Sequence, residues 1–96
     1  MLAVMLTGEE EKRLDSRASM LADALKKSNP DVRIIGPAPA SIGKINDKYR
    51  QIIYIKHAQT DVLIRVKDRA ESIIKANEML LKEILITFDM DPVHAY

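Results

Sequence analysis

Two prolines stand two residues apart in Gly36-Pro37-Ala38-Pro39, near the middle of a chain of 96 residues. A proline has no backbone N–H to give to a sheet ladder, so this segment cannot be a central strand and is restricted to an extended, kinked edge. That restriction organises the rest. The chain on either side divides into two halves, each of which reads as strand and helix.

Leu2 to Leu6 is a short apolar run that predicts a strand. Thr7-Gly8-Glu9-Glu10 follows with the spacing of a capping box, Thr7 as cap and Glu10 three residues on. From Glu9 to Ser28, Leu14, Ala18, Leu21, Ala22 and Leu25 recur at helical spacing and form one apolar face, ended by Asn29-Pro30. The β-branched run Val32 to Ile35 predicts a second strand. Asn46-Asp47 predicts a turn, and Tyr49 to His57 alternates, with Gln51, Ile53 and Ile55 toward the core and Arg50, Tyr54 and Lys56 on the opposite face. Thr60-Asp61 predicts the cap of a second helix running to about Leu80. Its stripe is Val62, Leu63, Val66, Ala70, Ile73, Ile74, Asn77 and Leu80, with Ile64 off it. Ile84 to Met90 predicts a last strand with Ile84, Ile86, Phe88 and Met90 on one face, stopped by Pro92. The order β-α-β-β-α-β is the ferredoxin-like split βαβ, an α+β fold with two helices on one face of an antiparallel sheet.

Length allows one domain, residues 1–96, with one core. Fifteen basic and fourteen acidic side chains leave a net charge of +1, so an anion site has to be local. The absence of cysteine excludes disulfides and thiolate-bound metals within the chain. No apolar run approaches a membrane span, and the first residues lack a basic signal-peptide start; the expectation is a soluble cytoplasmic protein.

Catalytic candidates are few. His57 and His94 are the only histidines, with no cysteine or nucleophile motif beside them. No Gly-rich phosphate-binding motif occurs. Asp89 and Asp91 have a spacing that suits either a divalent cation or a carboxylate-capped turn. The expectation is that this chain is not an enzyme and holds no metal or cofactor. The stronger lead is basic and aromatic: Arg33, Lys44, Lys48, Arg50 and Lys56 with Tyr49 and Tyr54, which a hairpin gathers onto one region of a sheet. Lysine and arginine neutralise phosphates and an aromatic face stacks a base. The same residues also suit an ordinary solvated face with packed tyrosines.

Val32-Arg33-Ile34-Ile35-Gly36-Pro37-Ala38-Pro39-Ala40, then Ile42, Lys48-Tyr49-Arg50, an apolar strand ending at Lys56, and Phe88-Asp89-Met90-Asp91-Pro92 occur in this order. The set resembles the C-terminal domain of the primosomal protein N′ family, the PriA replication-restart helicases, over essentially the whole chain. The resemblance implies a ferredoxin-like core and a fragment of a larger ATP-dependent 3′–5′ DNA helicase, with Met1 inside the parent sequence. It implies contact with single-stranded or branched DNA, the tail of single-strand binding protein, other primosome proteins and the rest of the helicase. ATP, Mg and structural Zn belong to the parent. Ser41 stands where many members carry proline, and Asn46-Asp47 replaces a basic residue and glycine, which makes the turn less cationic. The DNA contacts expected are therefore Lys44, Lys48, Tyr49, Arg50 and Lys56, with Arg33 and Tyr54 as further candidates. The alternative expectation is a scaffold that docks helicase lobes or single-strand binding protein without touching DNA.

Overall fold

The structure, a computed structural model, describes residues 1–45 and 48–90; for residues 41–45 it describes the backbone. The chain runs β1 (Leu2–Gly8), α1 (Glu11–Ser28), β2 (Arg33–Ile45), β3 (Lys48–Lys56), α2 (Thr60–Ala76), α3 (Glu78–Leu81) and β4 (Leu85–Met90). The four strands form one antiparallel sheet in the order β2-β3-β1-β4. This is the β-α-β-β-α-β arrangement that the periodicity predicts, and the proline-bearing strand is at the edge.

The helices cover one side of the sheet. Leu14, Ala18, Leu21, Ala22 and Leu25 of α1 are all buried, as their spacing requires, and meet Leu2, Val4 and Leu6 of β1, Ile53 and Ile55 of β3, and Val62, Leu63, Val66 and Ala70 of α2. Ile86, Phe88 and Met90 of β4 pack half-buried against the same core. With one sheet and one layer of helix, the molecule is only 15 Å thick in its shortest direction. No helix among the described residues is long and apolar enough to cross a membrane.

Four local features differ from the sequence expectation. Thr7 remains in β1, where it lies opposite Arg50 and Leu85, so α1 starts later with Glu10 as its N-cap and no side-chain cap. Strand pairing on both sides outcompetes the capping box. Likewise α2 has Gln59 at its N-cap, without a side-chain cap; His57 Nδ1 accepts the Gln59 N–H at 3.0 Å instead. The second helix ends at Ala76 rather than near Leu80, because the Asn77 amide bonds back to the Ile73 carbonyl at 2.8 Å and competes with the helical ladder. After that break Leu81 turns inward and Leu80 outward.

The fourth difference is β2, which does not stop at the prolines. Arg33 to Ile35 pair with Lys56 to Tyr54, Ala38 and Pro39 with Ile52 and Gln51, and Lys44 and Ile45 with Tyr49 and Lys48. Two register shifts separate these pieces. At the first, Gly36 takes φ +101°, open to glycine and strained for other residues, and the Gly36-Pro37 peptide is cis. The expected turn at Asn46-Asp47, and Asp91, Pro92 and His94, lie outside the described residues.

Candidate nucleic-acid interface

Strand parity settles which side chains share the uncovered side of the sheet. On β3, Ile53 and Ile55 enter the core, and Gln51 Nε2 donates to Asp15 Oδ1 of α1 at 2.6 Å, so odd-numbered positions face the helices. Arg50, Ile52, Tyr54 and Lys56 therefore face away from them. Cross-strand register extends this face in rungs. Arg33 lies opposite Lys56; Ile35 opposite Tyr54, which lies opposite Ala3, then Asp89; Ala38 opposite Ile52, then Met5, then Thr87; Arg50 opposite Thr7, then Leu85.

The face is thus apolar at its centre and basic at its ends. Ile52 is only 2% exposed, flanked in register by Met5 and Ala38, whereas Ile35 is 36% exposed beside half-buried Tyr54. At one end two cations, Arg33 and Lys56, are directly opposite each other. Such pairing costs stability unless an anion offsets it. No carboxylate among the described residues forms an ion pair with Arg33, Lys48 or Lys56. At the other end Arg50 Nη2 donates to Met5 Sδ at 2.8 Å, which lays the guanidinium along the sheet.

Tyr49 does not join this group. It shares the parity of Gln51 and packs against the core on the helix side, the face opposite Arg50. The alternation along β3 already contained that signal. Lys48 is exposed at the start of β3, with Ile45 as its neighbour in register, and also lines a cleft of about 460 Å³ with Thr7, Glu9, Glu10, Arg13 and Glu83. Arg13 is ion-paired there to Glu10 and Glu83. Lys44 is opposite Tyr49 by backbone register, and its side chain is outside the described residues. Asp89 is exposed on β4 at the far edge of the open face, and no cluster of three or more potential metal ligands occurs among the described residues.

The arrangement is a shallow sheet platform with cations at its ends. Compared with protein families, residues 1–93 match the model of the primosomal protein N C-terminal domain. The chain belongs to that family. A primosomal protein N C-terminal domain has its place in the primosome and in replication restart, and the match spans every described element. Among curated proteins no match was found.

The signals that sequence reasoning missed in this domain are structural ties between helices. Arg69 Nη1 donates to the Ser28 carbonyl at 2.8 Å and to Asn29 Oδ1 at 3.0 Å, and Arg65 pairs with Asp31 at 3.4 Å. These contacts join the end of α1 to α2 beneath the sheet. Arg17 Nε likewise donates to the Leu80 carbonyl, fixing α3 against α1.

Proposed function

We propose that this domain holds single-stranded or branched DNA on the open face of its sheet, as a binding and docking module of a replication-restart helicase. The observation that carries the reading is the Arg33–Lys56 rung, two exposed cations directly opposite one another beside the Ile35–Tyr54 rung. A phosphate above the first rung offsets the repulsion between the cations, while the ring of Tyr54 offers a stacking surface to a neighbouring base. Arg50 and Lys48 extend the cationic track toward the hairpin, which with Arg33 and Lys56 makes four cations; Lys44, opposite Tyr49 in register, is not counted among them. Tyr49 supports the hairpin from below by packing. In this reading ATP, Mg and Zn are used by other parts of the parent helicase.

Affinity is expected to be weak and salt-sensitive. Four phosphate contacts give a slope of log K on log salt of about −3 for a single strand, at ~0.7 per phosphate. Fluorescence anisotropy of labelled single strands and forks at two salt concentrations tests this, with wild type beside Lys48→Glu/Arg50→Glu. The double variant is expected to bind more weakly and with a shallower slope. Unchanged affinity and slope would remove both residues from the site.

A second reading rests on Met79 and Leu80 of α3, which are 78% and 46% exposed alongside Arg13 and Arg17. Such a surface suits protein docking, to helicase lobes, primosome partners or the acidic tail of single-strand binding protein. Capture of that tail peptide by a chain that fails to bind any DNA would favour this reading over the first.

A further inference from the structure

The two edges of the sheet are unlike. The β2 edge carries Pro37, Pro39, a glycine at positive φ and two register shifts, features that block the addition of another strand. The β4 edge carries none of them. Leu85 to Met90 is a regular run without proline, lysine or bulge, and β1 is its only neighbour among the described residues. Beside this edge, between β4 and the α2–α3 segment, lies a groove of about 380 Å³ lined by Ile74, Leu81, Ile86 and Phe88. The core therefore reaches the surface at β4. Phe88, half-buried, has Lys67 Nζ 5.4 Å from its ring centre.

We infer that the β4 edge is the seat of a second copy of this chain, paired antiparallel through β4 about a two-fold axis at Thr87. Directly opposite residues of an antiparallel pair share a face, so an axis at Thr87 sets Ile86 against the partner copy's Phe88 on the helix side. On the open side it sets Thr87 against Thr87. Aromatic with β-branched and threonine with threonine are favourable cross-strand pairs, and the two Asp89 carboxylates are kept apart.

The rim of the groove points to the same occupant. Glu71, Lys75, Glu78 and Lys82 alternate in sign along α2 and α3 and border the groove together. A stripe of alternating charge is complementary to its own antiparallel copy: Glu71 then meets Lys82, and Lys75 meets Glu78. A uniformly acidic or basic partner would meet a like charge at every second position. Pairing of this kind joins the sheets into one of eight strands, with both open faces on one side and all helices on the other.

The chain has no cysteine, which makes the test direct. Thr87→Cys places one thiol at the axis, and Ser19→Cys places one on the exposed surface of α1 as control. Sedimentation equilibrium of the 96-residue chain is expected to show a reversible dimer. Thr87→Cys is expected to form a covalent dimer on oxidation well ahead of Ser19→Cys. Thr87→Glu, which opposes two carboxylates at the axis with an Asp89 carboxylate diagonal to each, is expected to weaken the dimer by about tenfold. A chain that stays monomeric across the concentration range, with Thr87→Cys cross-linking no faster than the control, overturns the inference. So does a dimer that Thr87→Glu leaves unchanged.

Discussion

Asn29 is the one polar side chain buried among the described residues, 1% exposed at the end of α1. Its amide donates to the Leu25 carbonyl at 3.0 Å and its Oδ1 accepts from Arg69 at 3.0 Å. Every one of its polar groups is thereby used, which is the condition for burying an amide at little cost. Asn29→Ala removes a hydrogen bond to a charged group and one of the two bonds that the Leu25 carbonyl accepts, the other being the backbone N–H of residue 29, for an expected loss of about 2 kcal/mol. Thermal unfolding should show a fall in Tm of roughly 10 °C for a domain of this size. A Tm within error of wild type would mean that water replaces these bonds. In the sequence Asn29 was legible only as a helix stop before Pro30, because the partner that makes it structural is forty residues away. Tyr49 is the contrary case. Its neighbours in the alternation, Gln51 and Ile53, already assigned it to the helix side, and only the proximity of Lys48 and Arg50 in sequence drew it toward the basic group. The Lys67 ammonium is held above its ordinary value, first by the hydrogen bond to Glu71 and then by that carboxylate's charge. What little this exposed pair contributes is therefore present through neutral pH and is lost only as pH rises through the raised value.

At the scale of elements, the strands and the two long helices follow from hydrophobic period, because apolar faces dominate where each element must bury one side. Their ends do not. Thr7 has the chemistry of a cap and Thr60 that of another, but pairing of β1 on both sides holds Thr7 in the sheet, and local propensity yields to that contact. In β2 the prolines correctly marked an edge, while the resumption of pairing after each shift depends on a bulge that only the partner strand defines. Gly36 is where this bulge is fixed. A Cβ built there would lie 2.7 Å from the Ile52 carbonyl oxygen and 3.2 Å from the Ala38 nitrogen, both backbone atoms, at a φ of +101°. Gly36→Ala is therefore expected to cost about 1–3 kcal/mol, and to displace the Ala38–Ile52 pairing that continues the open face. Denaturant unfolding measures the first effect and amide chemical shifts of β2 and β3 the second. Full stability with unchanged shifts in both strands would show that the backbone there yields more easily than its contacts indicate.

At the scale of the whole molecule, the charge is almost balanced, yet the two sides of the slab are chemically different. The helix side carries acids and bases interleaved, with Lys67 bonded to Glu71 and Arg65 to Asp31, whereas Arg33 and Lys56 stand together on the open side. Composition reported only the sum, +1, and could not separate the sides; register does. If the open face binds the DNA backbone, the position of a charge should matter more than the total. Arg33→Glu/Lys56→Glu and Lys12→Glu/Lys26→Glu each reverse two cations, two units apiece, and so take the same +1 to −3. The second pair is exposed on α1, one near each end, so that its effects on the helix dipole oppose each other and stability should change little. The open-face variant is expected to lose affinity for a single strand and to have a salt slope shallower by about 1.4, two contacts at ~0.7 each. The helix-side variant should keep the wild-type slope, with only a small loss from long-range repulsion that vanishes as salt rises. Equal losses and equal slopes in the two variants would assign whatever binding is seen to net charge alone, and would leave the open face without a specific role in it.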